Sequence, residues 1–521
     1  MRSVNLDPTQ AAIGGTAAGR VRGSMDESAL GLLDRAFARA TGSPRIEGNA
    51  VRILRDAAEN FPAWLDAIGR AERTILFESY LWADDDVGRE FAAALSARAR
   101  DGIRVCVIYD WLGSLGARDL WAELRAAGAE VRRFNRFAIA TPLAWLSRDH
   151  RKTIAIDGRV GFVTGVCISA AWQGDPARHL EPWRDTGIEI RGPAVVELEE
   201  AFAEVWRACG GAPLASKDMS APDTIARAGD VAVRVIAGTP SAAGVFRLDQ
   251  LIASAARDYL WLTDAYFVGL SPYVQALCAA ARDGVDVRLL VPGASDIAAL
   301  QPLSRAGYRP LLAAGVRVFE WDGTMLHAKT AVADGLWARV GSTNLNFASW
   351  IQNWELDVAI EDRGFAGEMA AMYESDLDRS TEIVLTRRNR VRKSDDGGAG
   401  ERARHAPSGS AGRAAAGAIS VGNAMGAALT NRRLLGPAES GLLVKLALFA
   451  LATATIGFVW PRTLAFPLAL IAAWLGLSML GKAWALRRQR SLPPRPPPAR
   501  GAGERQAGDG GGGAGDHDVI L

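Results

Sequence analysis

The chain has 521 residues, 49% of them hydrophobic, and sets 60 basic against 58 acidic side chains for a net charge of +2. A length of this order calls for two or more cores. Charges of both signs are mixed through residues 1–385, so no basic face of the kind that dominates nucleic-acid binding is visible and no nucleic-acid partner is expected.

In chain order, residues 1–45 form an amino-terminal extension without an apolar run of signal length, so the body of the protein is expected to stay in the cytoplasm. Helix-to-strand passages follow at "RAERTILFESYLW" (70–82), "ALSARARDGIRVCVIYD" (94–110, with Gly102 as the helix stop) and "LRAAGAEVRRF" (124–134). The stretch "DHRKTIAID" (149–157) then reads as a strand ending at Asp-Gly. The same series returns as "AARDYLWLTDAYFV" (255–268), "ALCAAARDGVDVRLLVP" (276–292, with Gly284), "LLAAGVRVFEW" (311–321) and "LHAKTAVAD" (326–334). Strands alternating with helices predict an α/β fold, as two duplicated domains at 46–212 and 230–385 packed about a pseudo-two-fold axis. Tyr80, Asp110, Asp264 and Tyr266, at or near strand ends, are expected to line the cleft between them. Cys106, Cys167, Cys209 and Cys278 form no Cys-x-x-Cys pair and read as buried free thiols. His179 reads as a solvated loop residue.

Beyond residue 385 the composition changes. Residues 386–435 are rich in arginine, glycine and serine and read as a flexible linker. Residues 441–481 hold two nearly uncharged runs, separated by Pro461, Arg462 and Thr463, each close to the ~20 residues of a membrane-spanning helix. Arg432 and Arg433 before this hairpin, and Lys482, Arg487, Arg488 and Arg490 after it, put both ends on the cytoplasmic side. The prediction is an inner-membrane protein whose α/β domains face the cytoplasm, with a low-complexity tail at 491–521 that contains His517. His405 falls in the linker.

The chain has 5 histidines and spends two of them on one spacing: His150, Lys152 and Asp157, then His327, Lys329 and Asp334. In a strand, residues i and i+2 share a face, so each imidazole and ammonium point together. Asp157 and Asp334 sit at an odd offset, which favours a structural role. Imidazole beside ammonium suits attack on a phosphodiester: one histidine attacks phosphorus, the other protonates the leaving oxygen and then acts as base, while the lysines offset phosphate charge. No metal or organic cofactor is called for.

These residues resemble the phospholipase D superfamily, whose signature is His-x-Lys-x4-Asp followed by Gly-Ser/Gly-x-Asn. The second copy continues into "GSTN" and "NWE", and the resemblance implies that Ser342 and Asn344 bind phosphate oxygens and that Glu355 orients a catalytic histidine. The first copy departs from the pattern at "TGVCIS", where Thr164 and Cys167 replace glycine and asparagine. Asp185 aligns with Glu355 and is expected to orient His150. By the same resemblance His150, Lys152, Asp157, His327, Lys329 and Asp334 form the catalytic set, with His150 as nucleophile and His327 as general acid and base.

Within the superfamily, residues 46–385 look like bacterial cardiolipin synthases, especially the form without amino-terminal spans. The implied reaction is phosphatidyl transfer through a phosphohistidine to an acceptor such as phosphatidylglycerol. Hydrolysis to phosphatidic acid, a superfamily nuclease and a catalytically idle membrane scaffold are the other readings. A lipid substrate also suits "RRFNRFAIATPLAWLSRDH", where Arg132, Arg133 and Arg136 interleave with Phe134, Phe137, Leu143 and Trp145, a pattern fitted to a membrane interface.

Overall fold

The computed structural model describes residues 27–393 except 136–145, 179, 216–217, 222–223, 298–299 and 386–390, together with scattered helical positions between 451 and 477. The chain divides into two compact units, residues 1–455 and 456–521.

In the first unit, seven strands come from residues 46–191: β1 (Ile46–Arg55), β2 (Thr74–Ser79), β3 (Arg104–Asp110), β4 (Glu130–Phe134), β5 (Lys152–Ile156), β6 (Val160–Thr164) and β7 (Thr186–Arg191). Seven more follow: β8 (Val231–Gly238), β9 (Tyr259–Thr263), β10 (Asp286–Pro292), β11 (Arg317–Trp321), β12 (Thr330–Ala333), β13 (Trp337–Gly341) and β14 (Glu355–Glu361). The last two are β15 (Ser380–Leu385) and β16 (Val391–Lys393). All join one mixed sheet, ordered β16-β15-β11-β10-β9-β12-β13-β14-β8-β1-β7-β6-β5-β2-β3-β4. Read outward from the central β1–β8 pair, both directions follow one plan. A strand and a hairpin come first, then three parallel strands: β2, β3 and β4 on one side, β9, β10 and β11 on the other.

The helices are α1 (Glu27–Thr41), α2 (Asp56–Gly69), α3 (Asp86–Arg100), α4 (Arg118–Ala126), α5 (Ala170–Gln173), α6 (Val195–Ala208), α7 (Gly244–Ala255), α8 (Ser271–Arg282), α9 (Leu300–Ala314) and α10 (Arg363–Leu377). Helix α3 starts where the Asp85 carboxylate accepts from Gly88 N–H at 2.9 Å, and it stops at Gly102, whose φ of +86° favours glycine. Phe61, Trp64, Phe91 and Trp121 fill one core against the first three-strand run. A second core, with Phe202, Trp206, Phe365 and Tyr373 of α6 and α10, spans both halves of the sheet.

The two Asp-Gly steps make matching hairpin turns. Asp157 and Gly158 have φ of +57° and +67°, Asp334 and Gly335 +51° and +63°. The turns close with Arg159 N–H on Ile156 O and Leu336 N–H on Ala333 O, as type I′ turns require. Asp157 also accepts the backbone N–H groups of Glu72, Arg73 and Thr74, and Asp334 those of Arg257, Asp258 and Tyr259. Each carboxylate ties its turn to the start of the adjacent strand, β2 or β9, the first of the three-strand run.

Residues 27–41 of the amino-terminal extension form α1, whose Phe37 is buried in a third core against α7. The linker expected from residue 386 includes β16, which pairs antiparallel with β15. Most of 441–481 lies outside the described residues, as does 491–521. Among the described residues, no helix is long and apolar enough to cross a membrane. Leu451 belongs to the first unit, and Phe458, Phe466, Leu470 and Leu477 to the second; each is helical and exposed.

Candidate active site

His150 and His327 each sit just before a central strand, β5 or β12, and each is tied to the opposite half of the chain. The His150 N–H donates to Trp354 O at 2.8 Å, and the His327 N–H donates to Arg184 O at 2.7 Å. These links place the next residue, Glu355 or Asp185, beside the imidazole. His150 Nδ1 lies 2.9 Å from Glu355 Oε2, and His327 Nδ1 lies 2.8 Å from Asp185 Oδ2. The expectation that Asp185 orients His150 is therefore corrected. The acid of each half serves the histidine of the other, because the backbone bridges run across the interface rather than within a half.

Each carboxylate also takes a second donor on the same oxygen. For Glu355 it is the Ser342 hydroxyl, at 2.6 Å, which in turn accepts from Leu356 N–H. Asp185 has the Trp172 indole N–H at 2.8 Å, with Thr186 N–H on its other oxygen. At the first-half position matching Ser342 stands Gly165, where an added Cβ would fall 2.1 Å from Asp185 Oδ1. The shorter acid thus packs on bare backbone, and the indole replaces the hydroxyl.

Both histidines are buried, at 8% and 4% exposure, so an unpaired charge on either ring is costly. Burial, aided by the nearby lysine and opposed by the carboxylate, lowers His150 from its ordinary value and takes His327 down to about 3. For Asp185 and Glu355 burial acts upward, but the histidine contacts and the lysines hold both below the usual carboxylate range. The resting state is a neutral imidazole donating Nδ1–H to a carboxylate; the Nε2 lone pair of His150 is left for chemistry, and that of His327 meets the Lys329 ammonium. Burial also brings Lys329 down to about 8. The Lys152 ammonium donates to His150 O at 2.5 Å, and that of Lys329 donates to His327 O and lies 3.0 Å from His327 Nε2. Each lysine also depresses the histidine of the other half, which makes the two motifs one electrostatic site.

Tyr80 and Tyr266 take matching places. The Tyr80 ring lies 4.8 Å from that of His150 and the Tyr266 ring 5.7 Å from that of His327. Asp110 and Asp264 brace backbone: Asp110 accepts Asp149 N–H beside His150, and Asp264 accepts Leu345 N–H beside Asn344. Asn344 is buried, and its Oδ1 has no hydrogen-bond partner among the described residues. Ser342, expected at a phosphate oxygen, spends its hydroxyl on Glu355. Asp157 and Asp334 lie at the far ends of their strands on the turns described above, and do not join the catalytic set. The Thr164 hydroxyl accepts Val166 N–H, and Cys167 is buried with its thiol pushed up by that burial.

Three supporting residues carry no motif signal. One is Trp172, whose ring also meets that of His327 edge-on at 5.2 Å. Arg184 is held by Asp376 through both carboxylate oxygens, at 2.9 and 2.8 Å. Arg151 donates to the carbonyls of Ala201, Gly238 and Glu355, so it joins the two halves beneath the site. Only the invariance of such residues among relatives, or the fold, would single them out.

Similarity to known proteins agrees with this geometry. The family described as cardiolipin synthase, PLD-like domain, matches residues 248–377. Cardiolipin synthase A of Pseudomonas aeruginosa is 34% identical over 371 residues, covering 69% of this chain and 73% of that protein. A cardiolipin synthase of Geobacillus kaustophilus is 34% identical over 313 residues, covering 58% and 61%. Phosphatidylserine synthase of Haemophilus influenzae shares the fold, with a TM-score of 0.54 at 14% identity over 70% of this chain and 92% of that one. The chain belongs to the cardiolipin synthases of the phospholipase D superfamily, enzymes of phosphatidyl transfer.

Proposed function

We propose that this protein makes cardiolipin-type lipids by moving a phosphatidyl group from one phosphatidylglycerol to another through a phosphohistidine. In the first step His150 Nε2 attacks phosphorus, the bond from phosphorus to the glycerol oxygen breaks, and His327 gives that oxygen a proton. In the second, neutral His327 takes a proton from the acceptor hydroxyl, whose oxygen attacks phosphorus and releases His150. Lys152, Lys329 and Asn344 hold the phosphate oxygens. The resting His327 is neutral, so it takes up its proton from solvent when the anionic phosphodiester offsets Lys329.

The observation that carries this reading is the crossed pairing of His150 with Glu355 and His327 with Asp185, which gives two poised imidazoles one shared site. The repeated strand order supports two phospholipase D-like domains, 46–212 and 230–385, about a pseudo-two-fold axis. The uncharged runs of 441–481 and their basic flanks support a membrane hairpin with the site on the cytoplasmic side.

The test is mass spectrometry of lipids after the full-length protein meets phosphatidylglycerol vesicles. Cardiolipin and glycerol, both lost in His150→Ala and His327→Ala, are expected. Phosphatidic acid alone would replace transfer by hydrolysis. Trapped phosphate on His327 rather than His150 would reverse the two roles.

A further inference from the structure

At the far edge of the sheet, β4 is the last strand, and a cavity of about 470 Å³ lies along it. It is lined by Arg118 and Arg125 of α4, by Arg132 and Arg133 of β4, and by Tyr109 and Trp121 among its other residues. No carboxylate among the described residues lines it. Among the described residues none of these four arginines has a carboxylate partner, whereas Arg104, close by, pairs with both Glu130 and Asp218. Arg125 donates weakly to two backbone carbonyls, Trp121 O and Val131 O, each at 3.3 Å, and Arg132 lies over the Trp206 ring at 5.4 Å. Arg118 and Arg133 are exposed.

Protecting an edge strand needs one or two charges, and Arg125 on Val131 O already serves that purpose. Four like charges around one cavity repel each other, a cost that interspersed acids relieve elsewhere on this nearly neutral chain. An anion relieves it here. Guanidinium groups match the oxygens of a phosphate with paired, charge-assisted hydrogen bonds. Residues 118, 121 and 125 share one face of α4. Trp121 stacks flat on Tyr109, with centroids 4.0 Å apart and planes at 7°, and this pair forms a rigid wall. Three strand spacings separate β4 from β5, about 14 Å, so the cavity is distinct from the histidine site.

We propose that this cavity is a second, non-catalytic site for a phosphate-bearing anion. The same chemistry is offered by the headgroup of an anionic phospholipid and by a soluble phosphate, and the test separates these sources. It does not depend on turnover, so it stands or falls apart from the phosphatidyl-transfer reading.

Full-length protein carrying His150→Ala and His327→Ala is held in neutral detergent. It is titrated calorimetrically with inorganic phosphate, with short-chain phosphatidylglycerol and with short-chain phosphatidylcholine. Adding Arg118→Gln and Arg133→Gln is expected to weaken one component of anion binding at least about tenfold, from the loss of two charged hydrogen-bond donors, while the component held by Lys152 and Lys329 persists. The matched pair Arg282→Gln and Arg363→Gln, exposed arginines without ion pairs elsewhere on the described surface, changes it less than about twofold. Loss confined to phosphatidylglycerol identifies a lipid headgroup. Loss of inorganic phosphate binding as well identifies a general phosphate site. Equal effects of the two pairs, or no effect of either, would overturn the proposal; circular dichroism of each variant excludes unfolding as the cause.

Discussion

The Trp172 indole N–H donates to Asp185 Oδ2 over 2.8 Å, on the oxygen that also faces His327 Nδ1. In the other half the Ser342 hydroxyl does the same for Glu355 and His150. The two acid–histidine pairs are thus alike in plan and different in chemistry.

Trp172→Phe keeps an aromatic ring in place of the indole and deletes the donor. A hydrogen bond to a charged group is worth about 1.5–3 kcal/mol, so kcat is expected to fall roughly 10- to 100-fold. If His327 protonates the leaving oxygen, a substrate with a nitrophenyl leaving group, which needs no proton, recovers most of the loss. Equal loss on both substrates would reduce Trp172 to a packing role.

Ser342→Ala and Asn344→Ala should separate in kinetics. Ser342 is spent on Glu355, so its loss is expected to lower kcat about tenfold with KM little changed. Asn344, buried with an unpartnered oxygen, is expected to raise KM when shortened. The reverse pattern would return Ser342 to direct contact with phosphate.

Asp157→Ala and Asp334→Ala each leave three backbone N–H groups without their acceptor and put alanine at a positive φ. Loss of stability by at least about 2 kcal/mol is expected, read as a lower denaturation midpoint. Turnover per folded molecule at low temperature should stay near that of the parent chain, since neither side chain reaches the histidines.

His327 has a folded value of about 3 against an ordinary 6.5, so the unfolded chain binds its proton more readily. Its contribution to stability is complete above pH 6.5 and is lost as pH falls toward 3. In the same window burial pushes Asp249 up to about 6 and Asp264 to about 7, and these carboxyls act in the opposite sense, so the His327 contribution is read as a difference between variants. Thermal denaturation across that window should show the His327→Gln variant losing less stability than the parent chain as pH falls. An unchanged slope would mean that His327 is already protonated when folded.

The sequence by itself determined the local elements and the reactive groups. Alternating apolar runs and glycine stops at Gly102 and Gly284 marked helix-to-strand passages, because helix and strand periods depend on near neighbours. The spacing of His150 to Lys152 and His327 to Lys329 put each pair on one strand face for the same reason. Pairing across the interface was decided by tertiary structure alone. Whether Asp185 meets His150 or His327 depends on the bridges from Arg184 to His327 and from Trp354 to His150, which join residues 143 and 204 positions apart and leave no periodic trace. The same holds for Trp172 as the partner of Asp185 and for Arg151 beneath the site. Each is set by the approach of two halves whose contact surface no local pattern encodes.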